Sequence, residues 1–146
     1  MDAEWPITRL GVDDYDAICT LWQASGLPIR PGGRDSREQF ERQLAGGTQF
    51  VLGVHSGEHL IGVIVATHDG RKGWLNRLAV HPDFRRQGIG QHLIAAAEQQ
   101  LYQQGLQIIA ALIEGGNTAS LALFERAGYS DFEDIHYVSK RQSPEV

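Results

Sequence analysis

The chain has 146 residues, of which 42% are hydrophobic, and a formal net charge of −5 at pH 7. This length suffices to bury one hydrophobic core and is too short for two, so we expect a single domain over residues 1–146 with a frayed tail from about residue 142. The acidic balance argues against a general nucleic-acid-binding protein, which needs clustered lysine and arginine, and it is compatible with a cationic amine as ligand.

Cysteine content and the lengths of apolar runs bear on the compartment. The single cysteine, Cys19, cannot form an internal disulfide and fits a reducing compartment. No apolar run approaches the roughly 20 residues that span a bilayer, and the first residues carry no signal-peptide pattern. We therefore expect a cytoplasmic protein without a membrane partner.

The chain begins with the pattern of a strand, a helix and a loop. A short strand is expected over residues 7–10, and Asp13 or Asp14 can cap the helix that follows it. Prolines and glycines then mark residues 26–34 as a loop.

A second short helix leads into three strands. Asp35 or Ser36 can cap this helix, whose spacing turns Phe40 and Leu44 inward. Glycine-containing turns separate the three strands, which predicts an antiparallel meander. The strands are expected over residues 50–55, 60–68 and 74–81.

The second half of the chain alternates helices and strands. A helix begins at Gly88 and ends at Gly105, and the apolar run over residues 106–113 is typical of a strand covered on both faces. A strand, a helix and a strand in succession imply a parallel crossover. A further helix over residues 118–127 and a last strand over residues 129–138 complete the order β-α-α-β-β-β-α-β-α-β.

The most informative stretch is the run Arg-Arg-Gln-Gly-Ile-Gly at residues 85–90, which opens a predicted helix. Glycines let the backbone approach an anion closely, and the free amides of a helix start point toward it. A dinucleotide fingerprint would need a third glycine where Leu93 stands, and the Gly-Lys-Ser/Thr of a P-loop is absent. Taken without this context, the two arginines would equally suit a solvated surface turn.

These residues resemble the R/Q-x-x-G-x-G/A pyrophosphate loop of the GNAT superfamily, the GCN5-related N-acetyltransferases that use acetyl-coenzyme A. Residues 117–129 resemble a second segment of that family, N-x-x-A-x-x-L-Y/F-x-x-x-G-F/Y. The resemblance covers residues 5–138 and implies the mixed α/β GNAT fold, in which two parallel strands splay apart and leave backbone amides for pantetheine and the oxyanion.

The resemblance also implies which residues hold acetyl-CoA. Backbone groups of residues 85–91 would bind the pyrophosphate, and the main chain of residues 78–80 would bind pantetheine and polarise the carbonyl. Asn117 would contact the pantetheine region, although an asparagine before a helix is also a favoured N-cap. The expected cofactor-binding residues are Leu78, Ala79, Val80, Arg85, Arg86, Gln87, Gly88, Ile89, Gly90, Gln91, Asn117 and Phe124.

Phe124 stands where many relatives carry a tyrosine that protonates the leaving thiolate. A phenyl ring cannot donate a proton, so we expect Phe124 to pack against the coenzyme and leave water or Tyr137 as the proton source, unless Tyr137 is a core residue. Leu112 stands where the branch that acetylates ribosomal-protein alanines has a glutamate, which argues against that substrate.

An alkyl ammonium must lose a proton before it attacks, at a cost of about 4 to 5 kcal/mol near neutral pH. Glu114 is the leading candidate for the base, against the alternative of a solvent-facing carboxylate, and His136 is another. Asn76 could hold a bridging water. No metal site is expected, because a turn separates His55 from His59.

The hypothesis is therefore direct acetyl transfer to a primary amine of a small molecule or peptide in a ternary complex. We expect the acceptor pocket to involve residues 26–34, the helix with Phe40 and Leu44, and the region of Glu114 and the last strand. The alternative is an acyl-CoA-binding sensor or partner-binding module without turnover. The resemblance further implies a homodimer.

Overall fold

Five strands form one mixed sheet in residues 5–144, the part of the chain that the computed structural model describes. The order is β1-β2-β3-β4-β5, with antiparallel pairing from β1 through β4 and parallel pairing of β4 with β5. This arrangement confirms the predicted meander and the parallel crossover. The strands are β1 (Thr8–Leu10), β2 (Gln49–Ser56), β3 (His59–His68), β4 (Gly73–Val80) and β5 (Ile109–Ala111).

Four α-helices connect these strands, and side chains or glycines mark their ends. The Ser36 hydroxyl accepts a 3.2 Å hydrogen bond from the Gln39 amide at the start of α2, which decides the choice between Asp35 and Ser36 as its cap. Within residues 5–144, no helix is long and apolar enough to cross a membrane. The helices are α1 (Tyr15–Ala24), α2 (Arg37–Ala45), α3 (Ile89–Gln103) and α4 (Thr118–Arg126).

The sheet separates two hydrophobic cores. Along β2 successive side chains point to opposite faces, so Leu52 packs toward α3 whereas Val51 packs toward α1 and α2. The helix α3 contributes its predicted apolar stripe to the first core, including Leu93 and Leu101. These two layers hold β4 in the middle of the molecule, where its main chain can serve a site.

A bulge interrupts β4 in its second half. Val63 pairs with Ala79 and Val65 pairs with Asn76, so two residues of β4 oppose a single residue of β3 between these pairs. Arg77 lies in this bulge with a φ of 51°, which is rare for a residue with a side chain. The bulge therefore re-aims side chains on β4 at one particular point.

The parallel pairing of β4 with β5 ends just before this bulge. The last pair joins Leu75 to Ala111, and β4 continues to Val80 with no further β5 partner in the described part of the chain. The main chain over residues 76–80 thus lies at an open edge on the β5 side. This is the splay that the family resemblance implies.

The predicted last strand over residues 129–138 is wrong. No strand follows α4 in residues 5–144, and residues 133–134 form a turn. The fifth strand is also shorter than the predicted 106–113, and Leu112 beside it is 59% exposed rather than covered on both faces. A strand of three residues offers a short edge for pairing, and polar residues interrupt the segment after α4.

Candidate active site

The loop before α3 presents unpaired amides. Arg86 and Gly88 both have positive φ, 64° and 82°, and Gly88 is an N-cap without a side-chain hydrogen bond. The first amide in this turn with a protein acceptor is that of His92, which donates to the Gly88 carbonyl at 3.0 Å. The amides of residues 89–91 meet no acceptor from residues 5–144. Free amides at the positive end of a helix dipole suit a diphosphate.

The second glycine of the motif has a structural reason of its own. A Cβ on Gly90 would lie 2.8 Å from Cδ2 of Leu123, so the glycine lets the Leu123 side chain of α4 pack directly on the backbone of α3. The Gln91 side chain also donates a 3.2 Å hydrogen bond to the Leu123 carbonyl. Two residues expected to bind the coenzyme thus also fix α4 beside the loop.

The side chain of Arg85 joins the loop to the end of β4. Its Nε donates to the Val80 carbonyl at 3.2 Å, and the Ser25 hydroxyl donates to the same oxygen at 3.4 Å. These bonds hold the open edge of β4, including Leu78 and Ala79, next to the amides at the start of α3. A continuous main-chain surface therefore leads from the bulge to residues 85–91, the segment called the anion loop below.

Asn117 and Phe124 both have structural roles in α4. The Asn117 side chain accepts a 3.1 Å hydrogen bond from the Ser120 amide and so caps this helix. Phe124 is only 5% exposed and packs edge-on against Tyr129, with 5.1 Å between ring centroids. Contact of either residue with the coenzyme stays a prediction.

A cavity of about 370 Å³ lies on the α1 and α2 side of the bulge in β4. Its walls combine aromatic side chains with three charged groups, which gives it both apolar surface and hydrogen-bonding capacity. The lining residues are Tyr15, Trp22, Arg34, Asp35, Phe40, Gln43, Gln49, Val65, Asn76, Arg77 and Tyr137.

The charged groups of this cavity form one cluster. The terminal nitrogen Nη2 of Arg77 lies 3.5 Å from Oδ2 of Asp35, and Nε of Arg34 lies 3.8 Å from the same oxygen. The Arg77 guanidinium also lies over the Trp22 ring, 4.3 Å from its centroid. Burial lowers the pKa of Arg77 from its usual range, although nearby Asp35 opposes the shift.

Tyr15 is a fixed wall of the cavity rather than a base. Burial raises the pKa of Tyr15 to about 12, and Cys19 adds to the shift. The hydroxyl therefore stays protonated near neutral pH and donates to the Asp35 carbonyl.

The structure distributes the candidate catalytic residues unevenly. Asn76 and Tyr137 line the cavity, with the Asn76 amide donating to the Thr67 hydroxyl at 3.4 Å and Tyr137 68% exposed. Glu114 and His136 are exposed and do not line the cavity. Of the expected acceptor pocket, Arg34 and Phe40 do line it.

Six lining residues were not expected at a site from the sequence: Tyr15, Trp22, Asp35, Gln49, Val65 and Arg77. Asp35 was expected only as a possible helix cap, and Arg77 belonged to no motif. An arginine within an apolar strand was the available signal, because a buried charge needs a partner. Within residues 5–144, no cluster of histidine, cysteine and carboxylate side chains is suitable for a metal ion.

Comparison with known proteins decides the family. The family model described as "Acetyltransferase (GNAT) family" matches residues 15–129. The chain belongs to the GNAT acetyltransferase family. As a GNAT protein it is an acetyl-CoA-dependent acetyltransferase, and the amides at the start of α3 are suited to that nucleotide.

Two bacterial proteins are among the relatives of this GNAT chain. Acetyltransferase SG1711 of Sodalis glossinidius (strain morsitans) is 30% identical over 129 residues, which cover 88% of this chain and 89% of that protein. Acetyltransferase plu1384 of Photorhabdus laumondii subsp. laumondii is 32% identical over 119 residues, 82% of each chain.

Solved structures share the GNAT fold at lower identity. The PaiA N-acetyltransferase of Thermoplasma acidophilum in complex with coenzyme A is 18% identical with a TM-score of 0.74, covering 84% of this chain and 87% of that one. An aminoglycoside acetyltransferase from an uncultured soil metagenomic sample, in complex with sisomicin, is 17% identical with a TM-score of 0.79, covering 97% and 99%.

Replacing Gly88 by aspartate tests the anion loop. We expect Gly88→Asp to raise the Kd for coenzyme A at least about 100-fold, or about 2.7 kcal/mol, because it places a negative charge at the diphosphate site. Gly70→Asp is the matched control, since Gly70 has a φ of 83° and open space, as Gly88 does with its φ of 82°. Calorimetry that finds equal affinities in the two variants would contradict the placement.

Proposed function

We propose that the protein transfers acetyl directly from acetyl-CoA to a primary amine that is bound in the cavity beside the β4 bulge. One observation carries this proposal: the cavity lies at residues 76–77, where the open edge of β4 begins, and that edge leads to the free amides of residues 89–91. Donor and acceptor would meet at the bulge, on a rigid central strand.

In this reaction a C–N bond forms and the thioester C–S bond breaks. The ammonium nitrogen loses two protons, one before it attacks and one as the amide forms; one proton reaches the departing sulfur and the other passes to solvent. Main-chain amides along residues 78–80 would stabilise the oxyanion that develops as the amine attacks. Trp22 and Phe40 in the cavity wall would exclude water and lower the cost of removing the proton from the ammonium.

The lining residues support direct transfer rather than a covalent acetyl-enzyme. They include no serine, threonine or cysteine that could carry the acetyl group. Cys19, the single cysteine, is a half-buried residue of α1 outside the lining. Tyr137 lines the cavity, which supports its hydroxyl as the proton source for the departing thiolate, a role that the phenyl ring of Phe124 cannot fill.

A small-molecule acceptor is favoured by the size of the cavity. A volume of about 370 Å³ accommodates a small molecule and little of a peptide. The solved structure of an aminoglycoside acetyltransferase with sisomicin supports a small-molecule amine on this fold.

Initial-rate kinetics test direct transfer. We expect released thiol, measured against varied acetyl-CoA and amine concentrations, to give intersecting reciprocal plots, because both substrates must be bound before the acetyl group moves. Parallel plots would indicate a covalent intermediate. Thermal stabilisation by acetyl-CoA without thiol release from any amine would favour a binding module instead.

Glu114 is the base predicted from the sequence; because it does not line the cavity, it could take the proton of the amine only through bridging water, and its contribution would depend on pH. We expect Glu114→Gln to lower kcat/KM mainly below the pKa of the acceptor amine, where the nucleophile is protonated and needs a base. Glu125→Gln, an exposed glutamate on α4, is the matched control. If the pH profiles of wild type and Glu114→Gln coincide, Glu114 is not the base.

A homodimer is the proposed assembly. In residues 5–144, the exposed large apolar side chains all lie in the segment from residue 102 to residue 138, and β5 is an edge strand of the sheet. A second copy would cover this apolar surface. Light scattering is expected to give twice the chain mass of 16.1 kDa, and a mass of 16.1 kDa at micromolar concentration would contradict the dimer.

A further inference from the structure

The charges that line the acceptor cavity indicate which class of amine it takes. Three lining residues are charged, and two of them are arginines, so Arg34, Asp35 and Arg77 together contribute a formal charge of +1. The other polar lining side chains are three amides, two tyrosines and the indole of Trp22, and none of them is a carboxylate. A cavity built for an acceptor with several ammonium groups would present a surplus of carboxylates instead.

The one carboxylate in the cavity already has partners. The Asp35 side chain is only 10% exposed, and its Oδ2 accepts a 2.7 Å hydrogen bond from the Arg30 amide. The same oxygen lies 3.5 Å from Arg77 and 3.8 Å from Arg34. These contacts all fall on Oδ2, and they place two guanidinium groups beside the carboxylate, where they repel an incoming ammonium of the same charge.

Arg77 has hydrogen-bonding capacity that the protein does not fill. One terminal nitrogen donates to the Pro28 carbonyl at 3.0 Å, but the buried Nε has no acceptor in the part of the chain that the structure describes. Leaving a buried donor of a charged group unpaired is costly. The side chain is 22% exposed and held over Trp22, so it is presented to the cavity in one fixed orientation.

Arg34 is the more accessible of the two arginines. Its side chain is 43% exposed, and its contact with Asp35 is a loose 3.8 Å ion pair. A carboxylate that entered the cavity could therefore pair with Arg34 without breaking a close hydrogen bond. Guanidinium groups bind carboxylates well because their N–H donors match the two oxygens.

We propose that the acceptor is an amine that also carries a carboxylate, such as a free amino acid, and that Arg34 and Arg77 bind this carboxylate. The aromatic walls, Tyr15, Trp22 and Phe40, would pack against an apolar side chain of the acceptor. The proposal rests on the acetyl transfer proposed above and specifies its substrate. Polyamines and aminoglycosides, which carry only positive charges, are disfavoured.

Matched acceptors test this proposal. Thiol release from acetyl-CoA by the full chain is measured with L-leucine, L-methionine or L-phenylalanine as the acceptor. Each amino acid is compared with its own amide, and spermidine and sisomicin serve as purely cationic acceptors. The α-amine of an amino-acid amide is less basic than the α-amine of the free acid, so a larger fraction of it is unprotonated near neutral pH. Without any effect of binding, the amide would therefore be acetylated faster than the acid. We expect kcat/KM to be at least about tenfold higher for at least one acid than for its amide, from the charge-assisted hydrogen bonds alone.

Two arginine variants locate the effect. Arg34→Gln is expected to reduce the acid-to-amide ratio about tenfold, whereas Arg42→Gln is expected to leave it unchanged. Arg42→Gln removes the same charge from an exposed pair with Glu38 on α2, outside the cavity lining. Calorimetry with coenzyme A verifies that both variants bind the donor as wild type does.

Failure of the carboxylate proposal and failure of the proposed acetyl transfer would give different results in these experiments. A higher kcat/KM for amides, spermidine or sisomicin overturns the carboxylate proposal and leaves acetyl transfer to amines intact. Loss of the acid preference in Arg42→Gln as well as in Arg34→Gln also overturns it. If no amine is acetylated while coenzyme A still binds, the proposed acetyl transfer fails together with its substrate.

Discussion

The separation of β4 from β5 after Leu75 is the constraint on which the rest of the structure depends. Up to that residue the two strands satisfy each other's main-chain groups, and beyond it β4 continues to Val80 paired on its β3 side, with no β5 partner in the described part of the chain. The bulge at Arg77 turns a cationic side chain toward one side of the sheet at this point, where α1 and α2 enclose a cavity. Buried polar backbone needs a partner, so an open edge in the middle of a domain marks a binding site.

The start of α3 and the bulge in β4, the two ends of this site, both favour a negatively charged group. At the start of α3, the left-handed conformation of Arg86 and Gly88 leaves the amides of residues 89–91 free for an anion. At the bulge, Arg34 and Arg77 outnumber Asp35. An overall formal charge of −5 therefore conceals local positive potential along the central strand. Net charge describes the whole surface and says little about one cleft.

Most of the elements, and the free amides at the start of α3, could be predicted from the sequence because their signals are local. Glycine at position 88, the apolar spacing of α3 and the turns between strands each follow from residues near one another. The prediction of a last strand over residues 129–138 was wrong, because a strand needs a partner edge with which to pair and β5 is only three residues long. The cavity was only partly predicted, since Arg77 and Asp35 are 42 positions apart in sequence and meet through the fold. No local pattern encodes that contact.

A crystal structure with coenzyme A bound tests the central claim most directly. We expect the diphosphate to accept hydrogen bonds from the amides of residues 89–91 and the pantetheine arm to follow the open edge of β4 over residues 76–80, with its thiol at the Arg77 bulge. A diphosphate bound elsewhere, with those amides facing solvent, would contradict it.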